Sequence, residues 1–446
     1  MKRFLETLKN IWTIEDLRVR IINTLGLLLI YRLGSFIVLP GVDSAALDIA
    51  NANNGGGIAD LLDLFAGGAF SRASIFALGI MPYISASIVV QLLGIAIPYF
   101  QKLQKEGESG RRRINQITRM LTIAIVGFQA GPYIASQVPA FTQAGAMVRP
   151  DDAFWWVSTV IILITGTMFV MWLGERITEK GLGNGISLII MIGIIANLPF
   201  AFVAEFASRI NGGGLVILLV ELVILLLVII ATILLVQGTR RVPVQFAKRV
   251  VGNKQYGGVR QYIPLKVNAA GVMPIIFAQA IMFIPITLVG FADTDSLSGI
   301  TQALSDFTGF WYNLIFAIMI IAFTYFYTAV TVNPNQMADD MKKNGGFVPG
   351  VKPGKRTAEF LDTILSRITL PGSIFLAIVA ILPAFAAKAG VNGQFSQFFG
   401  GTSLLIMVGV VLDTLQQIES HLLMRHYDGL MKSGRIKGRS SINMAG

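Results

Sequence analysis

Two glycine-rich segments have the composition of nucleotide-binding loops but not the spacing. Residues 181–185 read GLGNG, which lacks the GxGxxG order and follows no predicted strand. We interpret this segment as a flexible entry to the apolar run that follows it. Residues 350–355 do not form a P-loop, because the spacing is wrong and Arg356 follows the lysine. Any nucleotide hydrolysis must therefore come from a partner.

Residues that could serve metal or acid–base chemistry are also poorly arranged. His421 and His426 are the only histidines, they form no HExxH motif, and we interpret both as surface residues. Asp339 and Asp340 lie in a predicted loop rather than in a membrane helix, which argues against an intramembrane aspartyl protease. Cysteine is absent, which excludes disulfides and thiolate sites. We predict that the protein is not an enzyme and carries no metal or cofactor.

Only three charged residues fall at predicted membrane depth, namely Arg32, Glu221 and Asp413. An ion-coupled secondary transporter usually carries several such groups near the midplane. The remaining hypotheses are a passive channel, which the sequence favours, a secondary transporter and an intramembrane enzyme. For Arg32 we predict a structural role, either a pair with another helix or a contact to a backbone carbonyl.

The elements that position these residues are predicted to be membrane helices. Hydrophobic residues make up 54% of the 446 residues and charged residues 14%, against roughly 25% charged in globular proteins. Each apolar run is close to the length that spans a bilayer. We predict an all-α polytopic membrane protein whose ten spans are 21–39, 73–97, 120–138, 154–173, 186–203, 215–236, 267–289, 310–332, 368–387 and 402–418.

The placement of basic residues predicts the orientation. Lysine and arginine are frequent before the first run, after each even-numbered run and after the last one, whereas the opposite side has only Arg72, Arg149, Arg209 and Lys388. Because short basic loops stay in the cytoplasm, both termini are predicted there. In residues 1–20 the apolar side chains recur every three or four positions, with basic residues between them. This spacing predicts an amphipathic helix on the membrane surface.

The segment before the second run is broken. Residues 58–66 are too short to cross a bilayer and include Asp60 and Asp63, and they end at Gly67 and Gly68. Such interrupted apolar segments lie in protein-lined or water-filled spaces and mark transport paths.

Two predicted cytoplasmic loops, 238–266 and 333–366, are longer than a helix connection needs. In the first, Val242, Val244 and Phe246 alternate with polar residues, and Gly252-Asn253 offers a turn, which predicts a hairpin. The basic residues of these loops either only set the topology or also dock an anionic partner, for which ribosomal RNA and an acidic protein are both suitable.

From residue 67 the sequence reads GGAFSRASIFALGIMPYISAS, and this segment resembles the second span of the SecY family, the channel subunits of bacterial protein translocation. Further matches follow in order along nearly the whole chain: KEGESGRR at 105–112, TGTM at 165–168, GNGIS at 183–187, PLKVN at 264–268, FVPG at 347–350 and GGTSLLI at 400–406.

The resemblance implies two inverted five-helix halves, 21–206 and 207–420, around an hourglass pore in a bacterial cytoplasmic membrane, followed by a cytoplasmic tail, 421–446. It implies a plug within 58–72 that includes Leu61, Leu62, Leu64, Phe65, Gly67 and Gly68. It also implies a constriction formed by Ile80, Ile84, Ile190, Ile276 and Ile406. A narrow apolar ring can block ions by dewetting and still yield around an extended peptide.

The resemblance further implies a lateral gate between spans two and seven, to which we assign Ser85, Ser87, Gln91 and Gln279. We expect Gln91 and Gln279 to help hold the gate shut through interhelical hydrogen bonds. Implied partners are the subunits SecE and SecG, the SecA motor, the ribosome, signal sequences, SecDF, a YidC-type insertase and anionic lipids. Docking of the motor or ribosome is assigned to Arg240, Arg241, Lys248, Arg249, Lys352, Lys355 and Arg356. Lys352 departs from the family, which usually has arginine there, and lysine lacks the planar fork of arginine.

Overall fold

The chain is described from a computed structural model. It covers residues 12, 14–43, 63, 66–143, 152–211, 214–246, 249–251, 254–256, 260–289 and 308–432. The predicted amphipathic helix at 1–20 lies largely outside these residues, as do the predicted plug residues Leu61, Leu62, Leu64 and Phe65 and the C-terminal tail beyond residue 432.

The first half of the described chain is entirely helical apart from its connections. Its helices are α1 (Glu15–Gly34), α2 (Met81–Ala96), α3 (Pro98–Lys105), α4 (Glu108–Gln143), α5 (Ala153–Lys180) and α6 (Gly185–Asn211). They form one bundle in which α4 packs on α2 and α5, while α5 also packs on α1 and α6. Short α3 turns back against α4 after a sharp bend at Ile97, where the residue before Pro98 takes an extended conformation.

The second half adds strands to a second bundle. Its elements are α7 (Leu215–Gln237), β1 (Thr239–Phe246), β2 (Arg249–Val251), β3 (Lys254–Tyr256), β4 (Arg260–Lys266), α8 (Met273–Val289), α9 (Phe310–Thr331), α10 (Pro334–Lys343), β5 (Gly346–Phe347), α11 (Lys355–Lys388), α12 (Gly393–Ser396) and α13 (Gly401–Lys432). Helix α9 packs on α8 and α11, and α13 packs on α7 and α11.

Each of the ten predicted runs contains a helix in the described residues, but not all of these helices are equally long. Six are long and apolar enough by themselves to cross a membrane, and the bent pair α2 and α3 makes a seventh if it is counted as one span. Helices α2 and α8 are short because the backbone preceding each one is not helical. Helix α1 falls short because it carries charged residues in its first turns and at Arg32.

The runs 73–97 and 267–289 are therefore not continuous helices, which corrects the sequence prediction. Residues 67–80 form successive turns, and α2 begins only at Met81; residues 267–272 form turns before α8. Gly79 and Gly271 have positive φ angles of 54° and 64°, which residues other than glycine rarely adopt. A proline then occupies the second position of each helix, where its missing N–H has no helical partner anyway.

The two long loops that were predicted to be cytoplasmic form one structural unit. Strand β1 pairs antiparallel with β4, with Val242 opposite Ile263, and the short β2–β3 hairpin lies between them in sequence. This confirms the predicted hairpin. The pairing of β5 with β1, with Gln245 opposite Phe347, was not predicted, and it joins loop 333–366 to loop 238–266. Buried Val242, Val244 and Leu265 pack with residues of α10 and α11 beneath the sheet.

Close helix packing depends on particular glycines. Gly166 of α5 faces the turn segment, and a Cβ atom added there would overlap the carbonyl oxygen of Ile75. Gly127 of α4, by contrast, is exposed and has nothing within 4 Å of such an atom.

We expect Gly166→Ala to lower the stability of the folded protein, because a backbone carbonyl cannot move aside as a flexible side chain can. Overpacking of this kind costs roughly 1–3 kcal/mol. Thermal unfolding of the detergent-solubilised protein should show Tm several degrees lower. The control, Gly127→Ala, should leave Tm unchanged or slightly raised, and equal Tm values for the two variants would contradict the packing described.

Candidate functional site

The five isoleucines assigned to the constriction all belong to one large apolar cluster, which also contains many other residues of both bundles. Ile80, Ile84, Ile190 and Ile406 are buried members of one apolar cluster, and Ile276 is half-buried against it. They come from the turn before α2, from α2, α6 and α13, and from α8, so both bundles contribute. The amide of Ile84 donates to the carbonyl of Ile80 at 3.1 Å, which places these two side chains one helical turn apart.

Helices α2 and α8 enter this cluster through the same local sequence. Residues 79–82 read GIMP and residues 271–274 read GVMP. Ile80 and Val272 therefore occupy equivalent positions, as do Ile84 and Ile276, each two residues after the proline. Val272 packs against the cluster, although sequence reasoning did not assign it to the constriction. The repeated Gly-x-Met-Pro motif was the signal that could have identified it.

The turn segment that leads into the cluster is fixed by polar side chains of the first bundle. Arg32 of α1 donates from Nη1 to the carbonyl oxygen of Gly67 at 2.5 Å. Tyr133 of α4 donates its hydroxyl to the carbonyl of Phe70 at 3.0 Å, and Tyr31 donates to that of Ala66 at 3.4 Å. The predicted carbonyl contact of Arg32 is thus confirmed.

Glycines 67 and 68 have positive φ angles of 66° and 85°, as a sharp reversal requires. A Cβ atom added at Gly67 would lie 2.9 Å from the Cα atom of Gly193 in α6. Asp63 accepts hydrogen bonds from the amide and the hydroxyl of Ser71, at 3.0 and 2.7 Å. The end of the broken segment is therefore closely packed and hydrogen-bonded, and the Asp63 carboxylate is paired rather than facing hydrocarbon.

The structure does not bring together the residues assigned to the gate latch. Gln91 is exposed on α2, and Ser85 donates to the carbonyl of Met81 within its own helix at 3.2 Å, while Ser87 is half-buried. Gln279 instead lines a cavity of about 40 Å³ inside the second bundle, together with polar residues such as Asn313 and Gln397. No hydrogen bond joins Gln91 to Gln279 among the described residues, and the role of each in holding the gate shut stays a prediction.

The assigned docking residues are basic and accessible where the structure describes them. Arg240, Arg241, Lys352, Lys355 and Arg356 are all exposed. The first two lie on β1, and the other three surround the start of α11, where Thr357 donates to the carbonyl of Lys352 at 2.9 Å. Lys248 and the side chain of Arg249 lie outside the described residues. Strands β1 and β5 and helix α11 share one core, so the two loops that carry these charges fold together.

The glycine-rich segment 181–185 is held in place, which corrects its interpretation as a flexible entry. The amide of Leu182 donates to Thr24 Oγ1 at 3.0 Å, and the amide of Gly185 donates to Thr178 Oγ1 at 2.9 Å. The other sequence candidates show no assembled site: Asp339 and Asp340 are exposed on α10, and the described residues contain no group of three metal ligands. His421 is half-buried near the end of α13.

Comparison with known proteins gives consistent matches. The family model described as SecY matches residues 74–415. The protein translocase subunit SecY of Mycobacterium bovis is 42% identical over 450 residues, which cover 97% of this chain and all of the relative. Among solved structures, one described as a protein-conducting channel matches with a TM-score of 0.64 at 17% identity, covering 90% of this chain and 92% of that one. Sec61 in a canine ribosome–channel complex matches with a TM-score of 0.59 at 17% identity, with the same coverage of both chains.

The contact between Arg32 and Gly67 makes a prediction that can be tested directly. Arg32→Met removes a charge-assisted hydrogen bond, which contributes about 1.5–3 kcal/mol. Amide hydrogen exchange across residues 66–76 should then become roughly tenfold faster or more, if local opening governs exchange there. The control is Arg18→Met, which changes an exposed arginine of the same helix. Unchanged exchange in Arg32→Met would show that the hydrogen bond does not fix the segment.

Proposed function

The chain belongs to the SecY family and is a channel subunit of the protein translocase, and from this premise we propose that its five clustered isoleucines seal the pore. The protein is a multi-pass membrane protein and is not an enzyme. The proposal is carried by one observation: isoleucines from both bundles converge in a single apolar cluster.

An apolar constriction suits a channel for unfolded polypeptides. Moving an ion or water into a narrow hydrocarbon ring is unfavourable in free energy, so the ring excludes both when no peptide is present. An extended chain can displace branched side chains that hold no polar partner. We include Val272 in this ring, because its Gly-x-Met-Pro context matches that of Ile80.

We propose that the turn segment 67–80 supports the plug. Gly67 and Phe70 accept hydrogen bonds from Arg32 and Tyr133, and Asp63, just before the segment, accepts one from Ser71. We propose that the plug residues 58–66 move about Gly67 and Gly68 while residues 69–80 stay anchored in the first bundle. The isoleucines of the ring would then keep their positions when the plug moves away.

Lateral release of apolar segments requires a seam between the bundles. Helices α2 and α8 face each other across a limited contact, flanked by α4 and α9. We propose that this seam is the lateral gate. A segment of about 20 apolar residues would leave through it, because burial in lipid is more favourable than a stay in the aqueous pore. Ser85, Ser87 and Gln91 remain gate candidates on α2, while Gln279 faces into the second bundle.

The basic surface formed by β1 and the start of α11 is proposed to receive the energy-supplying partner on the cytoplasmic side. The match to Sec61 in a ribosome–channel complex supports the ribosome as one such partner. SecA, signal sequences, SecE, SecG, SecDF, a YidC-type insertase and anionic lipids are proposed as the other partners. We also propose a bacterial cytoplasmic membrane as the location, with both termini on the cytoplasmic side.

We expect Ile190→Ser to make the idle channel leak ions, because a hydroxyl in the ring would favour wetting of the constriction. Halide efflux from proteoliposomes that contain the assembled translocase measures the leak. The matched control is Ile320→Ser, which places the same hydroxyl in the buried core of the second bundle. A tight Ile190→Ser channel, or an equal leak from both variants, would contradict the proposed seal.

The docking proposal makes a separate prediction. Replacing Lys355 and Arg356 with glutamine should weaken ribosome binding about three- to tenfold at 0.1 M salt and flatten its salt dependence, because fewer counterions are released. Binding of ribosomes to proteoliposomes across a salt series would measure both effects. Lys388→Gln is the control, since Lys388 is exposed at the opposite end of α11. Equal effects from the two ends of the helix would rule out a localised docking surface.

A further inference from the structure

Arg209, near the end of α6, makes three contacts, two of which reach the second bundle. Its Nε atom donates to Glu205 Oε1 at 2.7 Å in the same helix, and its Nη2 atom donates to Glu221 Oε1 of α7 at 2.5 Å. The same Nη2 atom donates to the carbonyl oxygen of Gly390, just after α11, at 2.8 Å. One side chain from the first bundle thus contacts two separate elements of the second.

Glu205 extends this group of contacts and is itself completely buried. Its second carboxylate oxygen accepts a hydrogen bond from the amide of Asn392 at 2.7 Å. Glu221 is also buried, with 6% of its surface exposed. Removing one partner from a buried ion pair is strongly destabilising, because the other charge stays desolvated. We call Glu205, Arg209, Glu221, Gly390 and Asn392 the outer clamp.

A second polar contact between the bundles lies at the other end of α6. Helices α6 and α13 pack against each other, and the amide of Gly183, just before α6, donates to Gln417 Oε1 of α13 at 2.8 Å. Gly183 has a positive φ of 73°, and a Cβ atom there would lie 3.1 Å from Thr414 Oγ1. Gln417 therefore holds the backbone where α6 begins, while the outer clamp holds the region where α6 ends.

The contact between α2 and α8 has no comparable hydrogen bond or ion pair among the described residues. No hydrogen bond connects these two helices in the part of the chain that the structure describes, and their contact with each other is small. The two bundles are therefore joined by charged and polar groups along α6 and only by limited packing between α2 and α8. An assembly joined in this way opens most easily along the α2–α8 side.

We propose that Arg209 is a positioning residue that fixes, together with Gln417, the axis about which the two bundles open. This inference rests on the proposed gate between α2 and α8. The outer clamp holds one end of the axis by charge, and Gln417 holds the other end by a single hydrogen bond. Loss of either contact lets the bundles separate without a signal sequence.

The absence of cysteine allows a direct measurement of the gate width. Spin labels are placed at Val89 of α2 and Ile281 of α8, which are both exposed and lie eight residues after the start of their helices. Pulsed electron resonance on the assembled, reconstituted translocase then reports the distance distribution. In the parent chain, addition of a signal peptide should shift the distribution to longer distances.

In Arg209→Gln, the long-distance population of the idle channel should rise about fivefold or more. Arg209→Lys keeps a cation between the two carboxylates and should restore most of the parent distribution. The matched control is Arg119→Gln, because Arg119 pairs with Glu175 at 2.7 Å within the first bundle and does not join the two. That variant should leave the distribution unchanged.

Gln417→Leu is a second variant that leaves the buried charges intact. It tests the proposed axis even if Arg209→Gln fails to assemble. It should also increase the long-distance population. Parent-like distributions for Gln417→Leu, and for Arg209→Gln where it assembles, would overturn the proposed axis. If the signal peptide causes no shift in the parent chain, the proposed gate itself fails, which is a distinguishable result.

Discussion

Every backbone N–H and C=O group inside a membrane needs a partner within the protein, and much of this structure follows from that requirement. Helices meet it by themselves, but residues 67–80 lie among membrane helices without being helical. The carbonyls of Ala66, Gly67 and Phe70 accept hydrogen bonds from the side chains of Tyr31, Arg32 and Tyr133, and main-chain turn hydrogen bonds serve others farther along. Residues 37–39 add main-chain hydrogen bonds to Ala73 and Ile75. The irregular segment exists because the first bundle surrounds it.

The same requirement explains how charged residues are used at membrane depth. Arg32 binds a carbonyl, and Glu221 is paired with Arg209. Arg209 and Arg72, which count as outer-side charges in a topology argument, are partly enclosed within the protein: Arg209 in the outer clamp, and Arg72 over the ring of Phe36 at 4.7 Å. Two of the four basic residues on the side predicted to lie outside are therefore partly enclosed by the protein.

Periodicity and hydropathy were sufficient to locate the ten helical segments, because bilayer thickness sets a length that apolar runs reveal. They could not show that residues 73–80 are turns, since these residues are as apolar as a helix and the decisive information is the φ angle at Gly79. The five isoleucines that the resemblance assigned to the constriction do lie in one cluster, and their role as a pore ring stays a prediction. The resemblance could not show that the Gln279 side chain lines a cavity of the second bundle, because the packing of the neighbouring helices decides which way that side chain faces. The partners of Arg209 were equally hidden, being 12 and 181 residues away in sequence.

Helix α11 has 34 residues and is therefore about 51 Å long at a rise of 1.5 Å per residue. Its first turn carries the basic residues that we propose as a docking surface, and the residues just after its last turn, Gly390 and Asn392, bind Arg209 and Glu205. If a partner docks at Lys355 as proposed, this helix would act as a lever that carries the load across the membrane. If this lever tilts about its middle, its two ends move in opposite directions, so a push on the cytoplasmic side becomes a pull on the far side of the bilayer.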